Sequence, residues 1–332
     1  MTVLSFHASY RCQERGVCCT SAWPIDIDDA ARGRVEAAVA RGDIATSRPP
    51  FVHVGETGTP AVLALIDRAC VFHRDRPHER CEIHHVLGHA ALPLACRQFP
   101  RVSVQDPRGT SITLSHYCPT AASLLDDDRP IAIVRDSPAF PRDAEYVGLD
   151  ARTSLPPRLR PDMLMEWDSW WAWERLSVDA IARESAAADA LARLRAAVEH
   201  ARTWRPADGP LIERVREAFD RPVLTTRVER NIAIVRDEIL AAIPAEHRPA
   251  NANGAAAPMS ESAARRYLAA HAFASWTAHL GKGLRTWQRS IEAAHVLVTS
   301  GFSVGDADLW LRHLADPDAL ADVWSEAERV DA

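Results

Sequence analysis

No cysteine follows Cys118 in this chain of 332 residues. All seven thiols, Cys12, Cys18, Cys19, Cys70, Cys81, Cys96 and Cys118, fall before that point, and their crowding suggests one site built there. Positive charge is not in excess either. Lys and Arg number 39 against 45 Asp and Glu, a net charge of -6. That argues against a generic nucleic-acid surface, which needs a net basic patch. Long apolar runs are missing as well: nothing approaches the ~20 residues of a membrane span, so no membrane partner is expected. The opening Met1-Thr-Val-Leu-Ser-Phe-His7 has no basic segment and no long apolar one, so no signal peptide is expected and the chain is expected to be cytoplasmic. Thiols stay reduced in that compartment, and clustered cysteines there point to metal binding or catalysis rather than disulfides. The odd count also fits a closed disulfide framework poorly. No internal repeat of fixed period is present.

What is present is globular material. Hydrophobic residues make up 47% and charged residues 25%, enough for a sizeable core, and the length allows two domains. Residues 1–11 look extended, anchored by Val3, Leu4, Phe6 and Tyr10. Asp28 can cap a helix to about Ala40, with Val35 and Val39 on its inner face. Residues 42–60 read as a loop with a short strand at Phe51 to Val54. Ala61 to Ile66 is a short apolar segment leading to Cys70. Leu94 to Phe99 can form one helical turn ending before Pro100. Val102 to Val104 and Ser111 to Ser115 flank Asp106-Pro-Arg-Gly109, a hairpin pattern. Ala121 to Leu125 fits a short helix and Ile131 to Val134 a short strand.

Five prolines between 136 and 161 mark a linker. Beyond it the pattern is helical, with candidates at 162–175, 178–203, 209–220, 224–243, 260–281, 283–300, 304–315 and 317–329, and a flexible joint at 250–258. The expected fold class is α+β. A small, loop-rich cysteine-cluster domain with short strands (1–135) and a Pro-rich linker (136–161) precede a mostly α-helical C-terminal domain (162–332). Four tryptophans, Trp167, Trp170, Trp171 and Trp173, crowd one predicted helix and read first as core packing.

The cysteine spacing fits no generic metal template. Zinc ribbons offer two tight C-x2-4-C pairs, and ferredoxin-type sites a C-x2-C-x2-C run; both are missing. Seven thiols nevertheless exceed the four that zinc or an iron–sulfur cluster needs. Several thiolates in one pocket need nearby cations, and Arg11, Arg15 and Arg97 sit beside cysteines. Arg97 is the best placed and is the candidate cofactor-binding residue. Cys18 and Cys19 point opposite ways in an extended segment. Either the backbone turns there, which Gly16 permits, and both ligate, or one ligates and the other packs as a small hydrophobe. Histidines 73, 78, 84, 85, 89 and 116 lie in the same region, so a mixed Cys/His site is open too.

The ordered set Tyr10-Arg-Cys12, Gly16-Val-Cys18-Cys19, Cys70-Val-Phe72, Cys81-Glu-Ile-His84, Cys96-Arg97-Gln-Phe99-Pro100 and Cys118-Pro119 resembles the flagellin N-methylase or zinc- and iron-chelating cysteine-cluster family (YkgJ type). The resemblance covers about residues 6–120. The family's fuller C-x2-C-x2-C-C opening is not matched, since Cys12 and Cys18 enclose five residues. The resemblance implies a metal bound by the seven cysteines: an iron–sulfur cluster, with zinc or iron as alternatives. His84 falls at a position that admits tyrosine in the family, which points to support of a ligand rather than ligation. The resemblance also implies methylation of protein lysines with S-adenosylmethionine, and hence a protein substrate. No Rossmann-type Gly-x-Gly-x-x-Gly, P-loop or Gly-x-Ser-x-Gly is present. Such a cofactor would have to meet the cluster or the helical part. The non-enzymatic alternatives are a metal-stapled binding module and a redox or iron sensor. An alanine series is expected to cost most metal at Cys12, Cys18, Cys96 and Cys118, then at Cys70 and Cys81, with the effect at Cys19 left open.

Overall fold

A computed structural model describes residues 1–53, 61–74, 80–142, 146–222, 236–237, 239–241, 243–244 and 259–316. The expected joint at 250–258, the helix at 317–329 and His78 lie outside these residues, as does most of the helix expected at 224–243. The chain is mixed α+β, about 51% helical and 15% strand, with several small sheets. It divides into two compact units. One comprises Met1–Tyr10, Val102–His116 and Ala121–Ala332; the other comprises Arg11–Arg101 and Tyr117–Thr120. This division differs from the expected 1–135, 136–161 and 162–332. The first ten residues and the hairpin leave the cysteine-rich part and join the helices.

Strand pairing is the reason. In the larger unit, strand Thr2–Leu4 runs parallel to Gly109–Leu114, with Thr2 opposite Ser111, and antiparallel to Ile133–Arg135, with Val3 opposite Val134. Leu149–Asp150 extends the five-stranded sheet beyond Arg101–Asp106. Gly148 lets the chain close on Ser103, where a Cβ would strike the serine Oγ and carbonyl. The presumed linker 136–161 therefore supplies a sheet strand, and Arg158–Arg160 forms a second small ribbon with Met163–Leu164.

The helices Trp167–Arg183, Ala187–Arg202, Leu211–Asp220, Glu261–Ala272 and Leu284–Thr299 follow. The first runs past the expected end at 175, through Ser177, whose buried hydroxyl is satisfied within the helix by donating to the Trp173 carbonyl (2.7 Å). The chain breaks instead at residues 184–186. Ser260 caps Glu261–Ala272 by accepting the Ala263 N–H (3.1 Å). Trp170 and Trp173 are buried and meet Trp287 edge-on at 6.4 and 5.7 Å, so these two Trp side chains form core. Trp167 and Trp171 stack at 6.0 Å and are partly buried.

The smaller unit is built around helix Asp29–Arg41. Asp28 accepts the Ala31 N–H (2.8 Å), and Gly42, at φ +81, closes the C-terminus. Ala31, Val35 and Ala38 point inward. Strands Asp26–Ile27, Ala61–Leu63 and Phe51–His53 form a three-stranded sheet. Two short ribbons, Leu65–Ile66 with Ala69–Cys70 and His73–Arg74 with Arg80–Cys81, complete it. Asp67 and Arg68 both have positive φ, +49 and +71, as a tight two-residue hairpin turn requires, and this turn delivers Cys70.

Candidate metal centre

All seven cysteines belong to the smaller unit, and none is in a disulfide. Cys70 is part of that unit's apolar core, and Cys19, Cys81 and Cys96 pack against it. Cys18 and Cys19 lie on the one-turn 3-10 helix Val17–Thr20. That turn answers the question left open at Cys18-Cys19: the backbone is not extended there. Gly16 precedes it at φ +69, and a Cβ on Gly16 would come 2.9 Å from the Arg80 backbone. The glycine therefore brings the Cys18-Cys19 turn against the strand that carries Cys81. Gly16→Ala is expected to cost about 2 kcal/mol, from the left-handed backbone penalty plus the clash. Urea unfolding of the full chain measures it; an unchanged midpoint would show that the contact is dispensable.

Cys19 is the centre of the group. Its thiol is within hydrogen-bonding reach of Cys18, Cys70 and Cys81; those bonds, with burial, push its pKa well up. Cys18 is lowered because Cys19 supplies a hydrogen bond to it, against the opposing effect of burial. Cys81 is lowered by the same donor, and by backbone N–H groups of Ile83 and His84. Burial drives Cys96 well up, and charge on Cys81, Cys18 and Cys70 adds to it. Four of the expected residues thus share one electrostatic environment: Cys18 and Cys81 are lowered by hydrogen bonds from Cys19, while Cys19 is raised by those bonds and Cys96 by burial. Cys19, whose place in the expected series was left open, is the thiol in contact with three others.

The remaining expected residues are placed as follows. Cys12 is exposed and its sulfur accepts the Glu14 N–H at 3.4 Å. Cys118 is buried in the same unit. Arg97 donates to the Leu92 carbonyl (2.8 Å), and its charge favours the thiolate of Cys96. Arg11 and Arg15 are exposed. His84 lies 3.6 Å from Glu14 and stands edge-on to His89 at 5.6 Å. Its backbone N–H, not its ring, supports Cys81.

His116 does not belong with the other histidines. It lies in the larger unit, buried against Asp308, whose carboxylate accepts its backbone N–H at 2.5 Å and approaches its ring at 3.2 Å. Asp308 also accepts from Tyr267 (2.8 Å) and bonds His271 (2.9 Å), with Arg312 Nε at 3.3 Å. His116 in turn faces His7 at 3.2 Å. Nothing in the local sequence distinguished Asp308 from the neighbouring Asp306, whose exposed carboxylate accepts the hydroxyl of the Ser303 N-cap.

Among the described residues no group of three or more His, Cys, Asp or Glu is already drawn into metal-binding geometry. The chemistry of the thiols fits a thiophilic metal: a tetrahedral ion with 2.3 Å Zn–S bonds sets sulfurs about 3.8 Å apart, close to the spacing of thiols in mutual contact. No protein-family model, curated protein or solved structure matches the chain.

Proposed function

We propose that the smaller unit is a metal-binding cysteine module. In it Cys18, Cys19, Cys70 and Cys81 hold an iron–sulfur cluster, with zinc or iron as the alternative, and Cys96 stands beside them. The observation that carries this is Cys19 within reach of three other thiols from two separate strands and its own turn. Outside helix Asp29–Arg41 and its small sheet, short ribbons and one-turn helices carry the cysteines, so a bound metal would contribute directly to the folding of that part. When bound, the metal would hold the thiolates ionised; Arg97, beside Cys96, offsets part of that charge. The ordered cysteine motif supports the same reading.

Anaerobic purification of the full chain with metal analysis, sulfide analysis and a visible spectrum tests it. Iron with sulfide supports the cluster. A colourless protein with one zinc replaces the cluster with zinc, and neither metal rejects the proposal. Cys19→Ser is expected to drop metal content below about a tenth of wild type, because a tetrahedral site missing one of four thiolates loses its hold. Cys12→Ser is expected to retain it. The methyl-transfer function is supported by the motif order. Calorimetry of the metal-loaded chain with S-adenosylmethionine separates that enzyme from a metal-stapled binding module: saturable binding favours the enzyme, and none favours the module.

A further inference from the structure

The N-terminal segment is held in the larger unit by pairing and packing alone, because the chain leaves that unit after Tyr10 and re-enters it at Val102. Strand Thr2–Leu4 lies between Gly109–Leu114 and Ile133–Arg135, and Val3, Leu4 and Phe6 are buried. His7 follows at once. It is fully buried, with its Nε2 3.2 Å from the Nε2 of His116. We propose that His7 is an acid-released latch: a proton on its ring lets Met1–Tyr10 open away while the rest of the larger unit stays folded.

Hydrogen-bond polarity fixes where that proton must go. The ionised Asp308 carboxylate only accepts, so the His116 Nδ1, 3.2 Å away, carries a hydrogen. The Nε2 of a neutral His116 then offers a lone pair, and the His7 Nε2 supplies the hydrogen between the two rings. The lone pair of His7 is therefore on Nδ1, a buried atom with no hydrogen-bond partner. An incoming proton makes an imidazolium whose Nδ1–H has no acceptor, a costly state away from water. The titratable and charged groups facing His7 are His116, from the stretch after Gly109–Leu114, and Asp308 and Arg312, from Val304–Leu309 and its π-helical continuation Trp310–Leu314. Asp308 is already shared among His116, Tyr267, His271 and Arg312, and Arg312 repels a second positive charge. His313 is bonded to the Ser115 hydroxyl (2.9 Å). Burial first, then the charges of His116 and Arg312, lower the His7 pKa well below 6.5 against the opposing pull of Asp308. Opening returns the ring to water and to an ordinary value near 6.5.

Hydrogen–deuterium exchange of the full chain at pH 7 and pH 5, corrected for intrinsic exchange rates, tests the latch. If His7 takes its proton only in the open form, the opening constant grows about 25-fold between those pH values. Protection across residues 2–7 should fall by that factor. Ile133–Arg135 should lose protection with it, because its described pairing partner is Thr2–Leu4. The hairpin strands Arg101–Asp106 and Gly109–Leu114, which pair with each other, and helix Trp167–Arg183 should keep theirs. In His7→Gln and His7→Asn, whose side chains stay neutral, residues 2–7 should show no acid-dependent loss. Unchanged protection of residues 2–7 in the wild type overturns the proposal. A parallel loss in the hairpin and the helix overturns it as well, since acid would then loosen the whole unit. So does a loss that persists in either variant, which would assign the proton to another group. The wild-type comparison of segment with helix decides the matter even where neither variant folds.

Discussion

Asp308→Ala will destabilise the folded chain by about 3–5 kcal/mol, the range for removing one partner of a buried charge pair. Asp308 is fully buried. Burial alone would raise its pKa; the Arg312 charge and the hydrogen bonds of His271 and His116 outweigh that and hold it well below the usual carboxylate range. Alanine leaves groups on four residues without their Asp308 partner: the Tyr267 hydroxyl, the His271 ring, the backbone N–H and ring of His116, and the Arg312 guanidinium. Arg312 keeps one bond, to the Ala270 carbonyl (3.0 Å), which does not neutralise its charge. Asp308→Asn keeps the shape and part of the hydrogen bonding but drops the charge, so it should fall between wild type and alanine. Urea unfolding, followed by the fluorescence of the buried tryptophans, reports both. An alanine variant within about 1 kcal/mol of wild type, the scale of an ordinary surface change, would show that the network does not hold the core.

The part of this fold that was legible in the sequence is the part decided locally. Asp28 announces the helix it caps, because the capping carboxylate and the N–H it accepts lie three residues apart. The hairpin around Asp106 to Gly109 and the helical turn carrying Cys96 are equally local. The unit boundaries were not legible, because Thr2 finds its partner at Ser111 and Val3 at Val134, pairings that no local pattern encodes. The cysteine motif located the candidate site but not its centre. Cys19 is central because Gly16 takes a left-handed turn against Arg80, a contact between distant segments. The Asp308 network was invisible for the same reason. His7, His116 and the helix that carries both Tyr267 and His271 come from distant parts of the chain, and each alone reads as a polar residue in an apolar run.

Acidification will weaken the fold between about pH 6.5 and pH 4, and the direction follows from the histidines. Burial lowers His271, His279 and His313 to about 4, and lowers His7 well below 6.5. These side chains are neutral in the folded chain at neutral pH. On unfolding they regain an ordinary value near 6.5, so between 6.5 and 4 the unfolded chain binds protons that the folded chain refuses. Stability is therefore full above about 6.5 and falls as pH drops through that window. For the fully buried His271 alone the loss at pH 5 is on the order of 2 kcal/mol, a sizeable share of a typical 5–15 kcal/mol total. His279 and His313 are partly open to solvent and add less. Asp308 does not contribute in this window: its depressed pKa stabilises above 3.8, and that stability is lost only at lower pH. Glu174 works the other way. Burial raises its pKa above 4.5, so acid favours its folded form and offsets a small part of the loss. Urea midpoints at pH 7, 6 and 5 should decline in order, and His271→Gln should flatten the decline. Equal midpoints at pH 7 and pH 5 would mean that these histidines are not held neutral in the core.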